Sequence, residues 1–149
     1  MSDRPALNIR KVTLAEAARD FLSTTRIAVV GISRDSDAAA NFVFRKLREC
    51  GYDVVPVARH RDEIDGVPCV RSLRAAGNHL DSAVVFTPPE ATADVVWECA
   101  ATGITHVWLH RTIGRGSVSD EAVAVARELG MHLIPGGCPA MFCCNADLP

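Results

Sequence analysis

Apolar positions along the chain alternate between runs with helical spacing and short runs without interruption. Leu14, Ala17, Ala18, Phe21 and Leu22 fall at i, i+3, i+4, i+7 and i+8, and Thr13 with Glu16 forms a capping box that starts this first helix. Residues 27–30 form a continuous apolar run ending in Gly31, the pattern of a strand buried on both faces. Ala40, Val43, Phe44 and Leu47 return to helical spacing, and Gly51 supplies the stop. Residues 54–57 are the second strand. A charged connection, 58–71, follows with a turn at Asp65-Gly66, and residues 72–76 have room for no more than about two helical turns.

Residues 83–86 form the third strand. Thr87-Pro88-Pro89-Glu90 then reads as a helix start, with Thr87 as N-cap, Pro88 in the first position and Glu90 closing a second capping box. That helix runs to Gly103. A fourth strand at 105–109, a helix at 118–129 closed by Gly130, and a fifth strand at 131–134 complete the series.

Continuous apolar strands alternating with amphipathic helices predict an α/β fold. The expected form is a doubly wound, mainly parallel, five-stranded Rossmann-like sheet with helices on both faces. The 149 residues suit one domain, with an N-terminal helix within 1–25, a core over 26–141 and a short tail at 142–149. A net charge of -2 argues against a general nucleic-acid binder, which needs a basic surplus. No apolar run approaches bilayer length and residues 1–5 lack a signal-peptide core, so a cytoplasmic protein with no membrane partner is expected.

Six cysteines are present without any CxxC pair, so zinc-ribbon and thioredoxin-like readings fail on spacing. Cys50 and Cys99 sit at apolar helical positions, where a free thiol behaves as a small hydrophobe; a disulfide framework is not expected.

In an open parallel sheet the ligand crevice lies beyond the carboxyl ends of the strands, at the switch point. Four segments are nominated: 31–41, 57–61, 86–90 and 109–116. The first contains Gly31, Ile32, Ser33 and Arg34 and reaches Asn41. It offers a tight turn, a hydroxyl donor and a following helix N-terminus, but its single glycine does not satisfy G-x-G-x-x-G. The second discriminates better. An NAD site needs an acid there for the ribose 2′-hydroxyl, and this chain places Arg59-His60-Arg61 after Val57 instead. Basic residues suit a phosphorylated ribose, as in coenzyme A or NADP; a solvated charged loop is the other reading, because Asp62, Glu63 and Asp65 follow. Trp108 reads as a core aromatic, and His110 and Arg111 as facing water.

No G-x-S-x-G, H-E-x-x-H or Walker pattern occurs, and no nucleophile has an identifiable base, so no catalysis is expected. Two other readings stay open. One is an NADP-binding module on the same fold. The other is a redox or metal-responsive protein using Cys138, Cys143 and Cys144.

Several stretches, taken in order, carry a resemblance. They are Ile27-Ala-Val-Val-Gly-Ile-Ser33, Leu47-Arg-Glu-Cys-Gly-Tyr-Asp-Val-Val-Pro-Val57 and Ile64-Asp-Gly-Val-Pro-Cys-Val-Arg-Ser-Leu73, followed by Val84-Val-Phe-Thr-Pro-Pro-Glu90, Val107-Trp-Leu109 and Gly137-Cys-Pro139. Together they resemble the small stand-alone coenzyme A-binding proteins of bacteria, whose domain is similar to the nucleotide-binding domain of the succinyl-CoA synthetase α subunit. The resemblance implies non-catalytic binding of coenzyme A or an acyl-CoA. It places the pyrophosphate over Gly31, Ser33 and Arg34 and the adenosine along strands two and three, with Thr87, Pro88 and Pro89 lining the ligand. Ile32, Asn41, Val57, Arg59, Arg61 and Phe86 complete the expected binding set. A homodimer or a protein partner is left open.

Overall fold

The computed structural model describes residues 12–77 and 79–143. Helix α1 (Leu14–Leu22) leads into β1 (Arg26–Val30), α2 (Ala39–Glu49) and β2 (Asp53–Val57). The connection to β5 (Ser82–Val85) holds a hairpin, β3 (Glu63–Ile64) with β4 (Val67–Pro68), and a 3-10 turn at Arg74–Ala76. Then come α3 (Pro89–Ala101), β6 (His106–Leu109), α4 (Asp120–Glu128), β7 (His132–Pro135) and a 3-10 turn at Pro139–Met141.

The five longer strands form one sheet in the order β2-β1-β5-β6-β7, every pair parallel. This is the doubly wound Rossmann-like sheet that the alternating pattern predicts. Its order reverses beside β1, so the chain leaves β1 and β5 toward opposite faces and a crevice opens between their carboxyl ends. No helix among the described residues is long and apolar enough to cross a membrane.

Strand periodicity explains the two cores. Ile27 and Val29 of β1 pack with Phe21 of α1, Phe44 and Leu47 of α2, and Trp108 of β6. Their neighbours Ala28 and Val30 point the other way, into Val96 and Cys99 of α3 and Ala122 and Ala126 of α4. After a polar first residue, β1, β2, β5 and β6 are therefore apolar throughout, because both their faces are covered. Full burial of one such large side chain contributes about 1.5–3 kcal/mol. Trp108 is fully buried, meets Phe21 edge-on at 5.3 Å and donates Nε1–H to the Gly136 carbonyl at 2.8 Å, so its one polar atom is satisfied.

Local signals set most boundaries. The Thr13–Glu16 capping box is present in both directions. At the end of α2, Gly51 adopts a φ of 92°. Its N–H reaches Arg48 O at 3.0 Å while Tyr52 N–H reaches Leu47 O at 3.1 Å, the paired bonds of a Schellman stop. Asp65 and Gly66, at φ 50° and 82°, form the two-residue turn with both centres left-handed that joins β3 to β4. The expected turn is there; its two-residue strands were too short for alternation to reveal.

Two expectations fail. The second capping box does not form: the N-cap of α3 is Pro88, with ψ 145°, and no side chain caps it. A residue that precedes proline is held out of the α region, so the helix can begin no earlier than Pro89. Glu90 pairs with Arg115 at 3.2 Å instead. Cys50 is disulfide-bonded rather than a free thiol, and its Sγ also lies 3.5 Å from Cys143 Sγ. Cys144 lies outside the described residues. Cys99 does behave as a buried hydrophobe, and burial pushes its thiol far above the ordinary range.

Candidate functional site

The carboxyl ends of β1, β2 and β5 enclose a cleft of about 750 Å³. Its floor forms where β1 and β2 end together. The Val57 carbonyl accepts from both Gly31 N–H and Ile32 N–H, each at 3.0 Å, and this turns the chain out of β1. Gly31 has a φ of 110°, and a Cβ there would sit 3.1 Å from the Cβ and carbonyl oxygen of Phe86. Only glycine lets the ends of β1 and β5 approach so closely.

Ser33 follows and is held from several sides. Its N–H donates to Asn41 Oδ1 at 2.9 Å, and Asn41 Nδ2 donates back to Ser33 O at 2.9 Å and to Asp35 O at 3.3 Å. Asn41 is fully buried in the first turn of α2, so this helix staples the loop that precedes it. Arg61 Nη1 also donates to Ser33 O, at 2.9 Å. The Ser33 hydroxyl accepts from Asp35 N–H at 3.0 Å, which leaves its own O–H to donate.

Arg34, Arg59, His60, Arg71 and Ser72 line the cleft on the β1–β2 side. Arg34 Nε donates to the His60 carbonyl at 3.0 Å and so ties the two loops together. Arg71 Nη1 donates to Arg59 O at 2.9 Å while its Nη2 pairs with Asp62. Thr87, Pro88, Ala91, Asp94, Val95 and Glu98 line the α3 side. Pro88 and Pro89 carry no N–H, so the start of α3 offers ring carbons where a helix N-terminus ordinarily offers anion donors. Thr87 is anchored by its hydroxyl at 2.8 Å from Thr92 Oγ1 and by its carbonyl, which accepts from Ser117 Oγ at 2.7 Å.

Gly31, Ile32, Ser33, Arg34, Val57, Arg59, Phe86, Thr87 and Pro88 of the expected set line the cleft. Asn41, Arg61 and Pro89 do not. Asn41 and Arg61 hold Ser33 from behind, and Arg61 Nε is taken by Glu63 O at 2.6 Å. Pro89 opens α3.

The fourth nominated segment, 109–116, does not line the cleft, and His110 does not face water. It continues the ladder beyond β6, its N–H on Val85 O at 3.1 Å, and Ser117 N–H closes back on its carbonyl at 2.9 Å. Its buried ring rests on Phe86 with centroids 4.5 Å apart, and burial lowers its pKa below that of an ordinary imidazole.

Sequence reasoning missed Arg71 and the α3 wall. Ala91, Asp94, Val95 and Glu98 fall at i, i+3, i+4 and i+7, so one helix face was legible there, but not what it faced. Arg71 arrives through a long-range bridge between Val57 and Val70, for which no local signal exists. Among the described residues, the one group able to hold a metal ion is Asp20, His106 and His132, and it contains no cysteine.

A family model described as a CoA binding domain matches residues 25–143. The chain is 31% identical over 124 residues to uncharacterized protein YneT of Bacillus subtilis (strain 168), covering 83% of this chain and 89% of that protein. It is 28% identical over 136 residues to the alpha subunit of acetate–CoA ligase [ADP-forming] II of Pyrococcus furiosus, covering 86% of this chain but 30% of that subunit. A solved structure of a hypothetical protein from Pyrococcus horikoshii OT3 superimposes with a TM-score of 0.78 at 27% identity, over 95% of this chain and 94% of that one.

Proposed function

The chain belongs to the CoA binding domain family, and on that premise we propose that it binds coenzyme A or an acyl-CoA in the cleft and does no chemistry on it. The observation that carries this reading is the polarity of the cleft. Its β1–β2 side presents the Ser33 hydroxyl and the guanidinium groups of Arg34 and Arg59, while Phe86, Pro88 and Val95 supply apolar surface beside them. The phosphates belong on the first side and the adenine on the second. Arg59, at the carboxyl end of β2, takes the 3′-phosphate, and Arg34 with Ser33 takes the pyrophosphate. A guanidinium suits both because it pairs bidentately with phosphate oxygens.

Binding without catalysis rests on the partners of the polar groups. Among the described residues, Ser33 Oγ is bonded by Asp35 N–H and not by an imidazole or carboxylate that would take its proton. Calorimetric titrations of the full chain with coenzyme A, dephospho-coenzyme A and NADP test the reading side by side. Coenzyme A should bind most tightly. NADP binding of equal or greater affinity overturns the choice of ligand. Turnover of an acyl-CoA that vanishes on Ser33→Ala overturns the absence of chemistry.

A further inference from the structure

At the other end of the sheet, His106 and His132 are the first residues of β6 and β7 and stand in register as neighbours. Their rings stack with centroids 4.3 Å apart and planes 6° from parallel. Asp20, in the last turn of α1, reaches both: its Oδ2 lies 2.9 Å from His106 Nε2 and 3.7 Å from His132 Nδ1. One donor atom from each of the three lies within 4.8 Å of the others. A recess of about 340 Å³ opens beside them.

We propose that Asp20, His106 and His132 form a binding site for a divalent transition-metal ion, with zinc as the fitting occupant. Two imidazoles and one carboxylate are a donor set that zinc takes readily, and a water would complete a four-coordinate shell. Two further features fit the assignment. His106 Nδ1 lies 2.8 Å from Thr105 Oγ1, the outer-shell hydrogen bond that orients a ligating imidazole and aims its other nitrogen at the ion. Asp20 stands in the last turn of α1, where the helix dipole disfavours a carboxylate unless a cation answers it. The rings are stacked parallel, so at least one must tilt before in-plane lone pairs from both meet a shared ion. The χ2 torsion of histidine is broad enough for that, and His132 is exposed.

The site lies at the amino ends of β6 and β7 and shares no lining residue with the cleft at the carboxyl ends of β1, β2 and β5, so the proposal stands apart from the reading of the cleft. Metal-stripped full-length protein is titrated with zinc chloride by calorimetry and with cobalt(II) by visible absorption. One equivalent of zinc should bind, and cobalt should give the visible bands of a low-coordinate site without a thiolate charge-transfer band. His132→Ala and Asp20→Asn should each lose at least about tenfold in zinc affinity. Zinc should raise the wild-type Tm and leave that of His132→Ala unmoved, while coenzyme A titrates both proteins alike. Both variants alter exposed side chains, and their Tm without metal shows that they fold. No zinc binding by the wild type overturns the proposal. So does binding that survives His132→Ala or carries a thiolate band, which would assign the ion to the cysteines.

Discussion

On the β1–β2 side of the cleft, Arg34, Arg59 and Arg71 come from two irregular loops; on the α3 side, Asp94 and Glu98 come from one regular helix. The sides differ in charge and also in how they are held. The α3 side needs only the helix itself to set its spacing. The loop side depends on side chains that bond backbone: Asn41 and Arg61 on Ser33, Arg34 on His60 and Arg71 on Arg59. The proposed ligand would therefore bind in one orientation, with its phosphates over the stapled loops and its neutral parts toward α3. The comparison also divides the arginines: Arg59 faces the cleft, Arg61 braces the wall, and Arg34 and Arg71 do both.

The largest expected effect comes from breaking the staple. Asn41→Ala empties a buried position and takes the partner from the Ser33 N–H and one bond from the Asp35 carbonyl, while Ser33 O keeps Arg61, at a cost of about 1–3 kcal/mol in urea unfolding. Affinity for coenzyme A and for its dephospho form should fall together. Unfolding at the wild-type midpoint would show that the loop holds its shape without Asn41.

Next come the arginines that face the cleft. A charge-assisted bond contributes on the order of 1.5–3 kcal/mol, toward the lower end where exposed, so Arg59→Ala should weaken coenzyme A by roughly tenfold. The same variant should bind dephospho-coenzyme A as the wild type does. Arg34→Ala should weaken both ligands alike, because both carry the pyrophosphate. Arg61→Ala sharpens the division: as a bracing residue that makes no ligand contact it should weaken both ligands equally and by only about a few-fold, through the loop it holds. Selective loss of coenzyme A binding in Arg61→Ala would move Arg61 from the brace to the binding face.

His110, beneath Phe86, gives a smaller effect with a defined sign. Burial lowers its folded pKa, so on acidification the unfolded chain takes up its proton first. Stability should fall as the pH drops below the ordinary imidazole range and level off once the native form is protonated too. His110→Phe keeps a ring on Phe86 and should flatten that part of a urea-midpoint pH profile. An unchanged profile would place the acid sensitivity elsewhere. The smallest effect belongs to the α3 side, where Asp94→Asn removes an exposed charge and should tighten coenzyme A by about twofold at low salt. Weaker binding would mean that Asp94 contacts the ligand directly.

The two sides were not equally legible in the sequence. Gly31, Ser33, Arg34 and Arg59 follow apolar runs that end abruptly, and the crevice rule finds them because a strand's carboxyl end is a local signal. Thr87 and Pro88 were found for the same reason, although the capping box drawn there gave way to the restraint of Pro89 on Pro88. His110 was misplaced because the ladder runs one residue beyond its apolar run. Arg61 was grouped with Arg59 by adjacency, while the backbone sends their side chains to different places.

The sequence by itself determined the alternation of elements, the capped start of α1, the glycine stops of the later helices, and the parallel doubly wound sheet. Each rests on periodicities and caps that act over a few residues. Only the tertiary structure decided which arginine faces the cleft, what the acidic face of α3 looks at, and that Asp20, His106 and His132 meet. These depend on strand order and on contacts such as that between residues 20 and 106, far apart in the chain, which bonding between neighbours does not encode.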